Sequence, residues 1–85
     1  MSAEEIQRML EESLPESLVQ VRDTTGTGDH FEALVVSSAF KGQAVVEQHR
    51  MVYSILGSAM SGPIHALALR TFTPEQWEKV GSRRA

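Results

Sequence analysis

Two strand-like runs stand either side of a stretch too short and too polar to be anything but a turn. Residues 18–23 (LVQVRD) alternate Val19 and Val21 with Gln20 and Arg22, the period-two pattern of a strand with one buried face. Residues 30–38 (HFEALVVSS) resume with β-branched and aromatic side chains, and between the runs lies TTGTG, rich in residues that supply turns and positive φ. The pair reads as an antiparallel hairpin, with His30 as the first residue of its returning strand. A hairpin needs its apolar face covered, so the remaining chain must supply the cover.

It has three helical segments with which to do so. Ser2-Ala3-Glu4-Glu5 fits a capping box, Ser2 capping and Glu5 reaching back to the Ser2 amide. Ile6, Met9, Leu10 and Leu14 follow at helical spacing, Glu4, Glu11 and Glu12 face water, and Pro15 stops the helix near Leu14. A second helix is expected from about Gly42, with Val45, Val52 and Leu56 on one face, Ile55 and Ala59 flanking, and Gly57 weakening its end. After the break at SGP, residues 64–72 form a third strand. Thr73 as N-cap, Pro74 at the first position and Gln76 at the third then open a last helix running to about Val80. The order α-β-β-α-β-α predicts a two-layer α+β sandwich. The crossover helix lets strands two and three pair in parallel, so the three-stranded sheet is mixed.

Eighty-five residues make one domain. Its ordered core should span about 3–80, with 81–85 a loose tail. There is no cysteine, so neither a disulfide framework nor a thiolate site is available. The acidic opening SAEEIQRML resembles neither a signal peptide nor a membrane span, and a cytoplasmic setting is expected. Eight acidic and two basic residues lie in positions 1–37, three and six in 38–85, for a net charge of −3. That division makes no basic stripe of the kind that marks nucleic-acid binding.

Common hydrolytic chemistry has no support here. GxSxG, HExxH and a lysine-bearing phosphate loop are all missing. Asp29 and His30 are sequence neighbours, and strand alternation would turn them to opposite faces. The GTG of the loop opens no helix. His30, His49 and His65 are the only borderline ligands besides methionine. Two converging histidines would make half a zinc site, which needs three or four protein ligands. On these residues alone His30 and His65 read first as polar residues at strand ends, and His49, one turn after Val45, as a partly buried residue packing on the sheet.

Phe40-Lys41-Gly42, His49-Arg50 with Val52-Tyr53 and Leu56, His65-Ala66-Leu67, and Thr73-Pro74 with Trp77 occur in this order with compatible spacing. Together they resemble the BolA family over about residues 3–80. The resemblance implies a fold related to type II KH domains. It also implies a non-enzymatic partner of CGFS-type monothiol glutaredoxins that shares a [2Fe-2S] cluster with the glutaredoxin and glutathione, in iron–sulfur trafficking or iron and redox regulation. In the family the histidine of the third strand is a ligand, matching His65 here. The second ligand, in or just after the loop between strands one and two, is cysteine or histidine, and here it matches His30. Two imidazoles can occupy one iron of such a cluster, as in Rieske centres, leaving the other to thiolates; a partner would have to bring those. The loop's glycines and threonines would let His30 swing toward His65 at an entropic cost. Alternation places His65 on the face of Leu67 and Leu69, reaching solvent only because it begins the strand.

The resemblance also admits a KH-like, DNA-binding transcriptional regulator. A KH domain grips the backbone through a GXXG loop, and the matching stretch, Gly42-Gln43-Ala44-Val45, lacks the second glycine. Lys41, Arg50 and Arg70 are candidate phosphate contacts, or else cations of a solvated surface. A third reading is an adaptor docking a glutaredoxin through Met51, Tyr53 and the helix around Trp77, although a single tryptophan in a small domain is first expected in the core. The isolated protein is expected to be a monomer or weak dimer with no membrane attachment.

Overall fold

The computed structural model describes residues 1–62, 64 and 66–84, the side chains of 82–84 excepted. The elements are α1 (Ala3–Ser13), β1 (Leu18–Asp23), β2 (His30–Val36), α2 (Val45–Leu56), β3 (Ala66–Phe72) and α3 (Pro74–Arg84), with 3₁₀ turns at Ser38–Phe40 and Gly57–Ser61. β2 is central in a three-stranded mixed sheet, antiparallel to β1 and parallel to β3. This is the α+β architecture and strand order expected.

Both capping signals operate as read. The Ser2 hydroxyl accepts the Glu5 amide and the Glu5 carboxylate accepts the Ser2 amide, each at 3.1 Å. Thr73 and Gln76 exchange the same pair of bonds at 2.9 and 3.2 Å. Leu14 caps α1 directly before Pro15. Alternation then decides which strand residues face the helices: Val19, Phe31, Ala33, Val35 and Thr71 are buried. Ile6 and Leu10 of α1 and Val52 and Leu56 of α2 meet them, and Phe40 and Ile64 close the cluster.

Four expectations need correction. α2 starts at Val45, not near Gly42, because the 3₁₀ turn and Gly42, held at φ 77°, turn the chain before the helix can begin. Val45 shares the helical stripe of Val52 but lies in the first turn, outside the packed cluster, and is 58% exposed. Gln48, unanticipated, is buried on that stripe at 1%, alongside Val52 and Leu56. Trp77 is half-buried, not a core residue; its ring lies 5.4 Å from that of Phe72. Since Thr71 points to α2, Phe72 and Trp77 meet on the opposite face of the sheet. α3 also continues through Arg84, past the Val80 limit expected.

Candidate functional site

The hairpin turn is built around one carboxylate. Asp23 ends β1; its Oδ1 accepts the amides of Thr25 (3.2 Å) and Gly26 (2.8 Å), and its Oδ2 that of Gly28 (2.9 Å). The Thr24 amide and hydroxyl both donate to the His30 carbonyl, at 2.9 and 3.1 Å. Gly28 adopts φ 78°, and a Cβ there would meet the Met1 carbonyl at 3.2 Å, so the position is doubly a glycine position. The loose, swinging loop expected from its glycines and threonines is thus opposed by a closed set of hydrogen bonds.

A side-chain relay runs through the same turn to the histidine. The hydroxyls of Thr25 and Thr27 lie 2.6 Å apart, Thr27 donates its hydroxyl to Asp29 Oδ1, and Asp29 Oδ1 lies 2.9 Å from His30 Nδ1. The expectation that Asp29 and His30 turn apart is therefore overturned. Asp29 precedes β2, so pleat alternation does not govern it, and its carboxylate folds back onto the ring. An ionised carboxylate can only accept, so Nδ1 carries a proton, and whenever the ring is neutral its lone pair is at Nε2. The His30 side chain is 38% exposed.

His30 faces Ala66 in the parallel register, and the Ala66 amide donates to the Asp29 carbonyl at 3.1 Å. The turn and the start of β3 are thereby tied together. Ile64 is buried and its amide bonds to the Ala59 carbonyl at 2.9 Å. His65 itself, the other expected ligand, lies outside the described residues. Among the described residues no group of three or more His, Asp or Glu side chains could hold a metal ion.

The remaining candidates are distributed elsewhere. Lys41 lies 3.4 Å from Glu75; that carboxyl is held below its usual range by a hydrogen bond from its own backbone amide and then by Lys41. Arg50 pairs with Glu47 at 3.1 Å one turn away on α2. Arg70 stands 5.6 Å over the Phe72 ring, beside a groove of about 460 Å³ that Arg22, Glu32, Leu34 and Trp77 also line. The half-buried His49 meets Tyr53 edge to face at 6.5 Å. Gly42 has the positive φ of a turn glycine, but the α2 N-terminus that follows has no side-chain cap. The three cations thus belong to three separate pairings, on the turn before α2, on α2 and on the far face of the sheet.

Sequence reasoning missed Asp23 as the residue organising the turn and Asp29 as the side-chain partner of His30. A signal was present: aspartate followed by TTG is an Asx-turn pattern, in which the carboxylate takes amides two and three residues on.

A BolA-like protein family model matches residues 5–76. Human BolA-like protein 1 is 36% identical over 81 residues, 87% of this chain and 59% of that protein; the chain spans about three-fifths of that relative's length. The DNA-binding transcriptional regulator BolA of Escherichia coli (strain K12) is 43% identical over 53 residues, 62% of this chain and 50% of that protein. Among solved structures, a bolA protein homologue from Coxiella burnetii aligns with a TM-score of 0.77 at 42% identity, covering 92% of this chain and 97% of the other. No described helix is long and apolar enough to cross a membrane.

Proposed function

Since this chain belongs to the BolA-like protein family, we propose that it is a non-enzymatic partner of CGFS-type monothiol glutaredoxins, sharing a [2Fe-2S] cluster as cargo through His30 and His65. The observation that carries this reading is the imidazole of His30: half-exposed at the end of the hairpin, with Nδ1 committed to Asp29 and in register with the residue that follows His65 in the sequence. Metal-bound histidines commonly donate a hydrogen bond from their second ring nitrogen to a carboxylate. Two imidazoles suit one iron of a [2Fe-2S] cluster. With no cysteine in the chain, the thiolates come from the glutaredoxin and glutathione, and the setting is the reducing cytoplasm.

A second reading, DNA binding, is favoured by the name of the Escherichia coli relative. It would recruit Lys41, Arg50 and Arg70. Two of these already sit beside acidic side chains, so phosphate would have to displace Glu75 and Glu47.

The test is anaerobic co-purification with a CGFS-type glutaredoxin, glutathione, iron and sulfide, read by visible circular dichroism. A heterodimer spectrum distinct from the glutaredoxin homodimer, and altered by both His30→Ala and His65→Ala, is expected. One identical spectrum for wild type and both variants would sink the cluster reading. Affinity for duplex DNA falling steeply with salt would then favour the regulator.

A further inference from the structure

We infer that Asp29 is a positioning residue for His30, its carboxylate fixing the tautomer and the orientation of the imidazole. The inference deepens the proposed site and rests on the ligand role of His30 for its consequence, though not for its geometry.

Asp29 has no need, on grounds of turn closure, to touch the ring. Asp23 already satisfies the amides of Thr25, Gly26 and Gly28, and Thr24 closes the turn on the His30 carbonyl. The Asp29 carboxylate instead receives the Thr27 hydroxyl and His30 Nδ1 on the same oxygen. Thr27 is held in turn by the Thr25 hydroxyl, so the carboxylate is fixed by a second partner besides the ring. A carboxylate held in that way selects one of the two neutral imidazole tautomers, the one with its lone pair on Nε2. It also limits rotation of the ring, because turning it would break the bond at Nδ1. Both effects prepare a metal-ligating nitrogen before the metal arrives, and carboxylates in this position raise the ligand's basicity. An alanine at position 29 would remove the acceptor that holds the proton on Nδ1. An asparagine would keep an acceptor oxygen for Nδ1 and for Thr27.

The experiment compares wild type with Asp29→Ala, Asp29→Asn, Thr27→Ala and His30→Ala in the full chain. Long-range ¹H–¹⁵N correlation of the His30 ring in the metal-free protein is recorded at about pH 8.5, above the ordinary histidine value of about 6.5. Wild type and Asp29→Asn should hold the proton on Nδ1, and Asp29→Ala should move it to Nε2. In the reconstituted complex with CGFS-type glutaredoxin and glutathione, Asp29→Ala should weaken cluster retention by about 10–100-fold, the usual effect of removing such a partner. Asp29→Asn should restore most of it. An unchanged tautomer in Asp29→Ala overturns the inference. So does a loss in Thr27→Ala equal to that in Asp29→Ala with the tautomer intact, since that would make the carboxylate a piece of loop closure. If His30→Ala leaves the cluster spectrum unaltered, the cluster reading falls, and the ring measurement still decides the role of Asp29.

Discussion

Gln48 is the residue on which the packing of α2 against the sheet turns. Its Oε1 accepts the Thr71 hydroxyl at 2.7 Å and its Nε2 donates to the Gln43 carbonyl at 3.0 Å. The side chain therefore stitches helix, strand and the turn before the helix together. Buried amides persist only when bonded, and leaving Thr71 unpaired costs about 1–3 kcal/mol beyond the packing lost. Gln48→Leu should destabilise by about 2–3 kcal/mol in denaturant unfolding. Adding Thr71→Val should recover part of that, because the orphaned hydroxyl goes with it. Strict additivity of the two substitutions would show that the bond is not coupled. Such a residue hides from pattern reading: apolar periodicity placed Val52 and Leu56 correctly but promoted Val45, since nothing in the spacing says that the first turn extends beyond the core. The contact of Asp29 with His30 hides for a related reason. Alternation speaks only for residues inside a strand, and Asp29 stands one position before it.

At the scale of elements, local chemistry carries most of what can be read without coordinates. α1 begins where Ser2 and Glu5 exchange bonds, and α3 where Thr73 and Gln76 do. These are contacts within four consecutive residues, so the chain's letters nearly determine them. The hairpin is similar, since two strands and a turn lie within consecutive residues. The start of α2 is different, because Gly42 and the 3₁₀ turn interpose before it. The α1 box makes a pH prediction. The Glu5 carboxyl is lowered from 4.5, first by the hydrogen bond from the Ser2 amide and then by the Ser2 hydroxyl. A lowered carboxyl adds stability that is present above its unfolded value and is lost as pH falls through its folded value. The advantage in Tm of wild type over Glu5→Gln should accordingly be full near neutrality and shrink as pH drops below 4.5. A gap that stays constant down to the acid end would mean the charge on Glu5 contributes nothing.

On the scale of the whole molecule, the sheet has two unequal faces. α1 and α2 bury one of them, and the hydrophobic cluster lies there together with the fully buried rings of Phe31 and Phe40. On the other, Arg22 pairs with Glu32 at 2.6 Å in the open, and Trp77 covers Phe72 only in part. A small domain with one core has a stability near the low end of about 5–15 kcal/mol, so the location of an aromatic ring should decide the effect of removing it. Phe40→Ala, which empties a site in the closed cluster, should cost about 3–5 kcal/mol and leave much of the protein unfolded at room temperature. Trp77→Ala removes a larger ring yet should cost only about 1–2 kcal/mol, because that residue is half-buried and packs outside the closed cluster. Far-UV circular dichroism during urea unfolding reads both, since the protein's only tryptophan is itself one of the substitutions. If Trp77→Ala costs as much as Phe40→Ala, α3 and the far face of the sheet form a second core of equal weight. The groove beside Arg70 would then be a gap within packed structure and not an open surface.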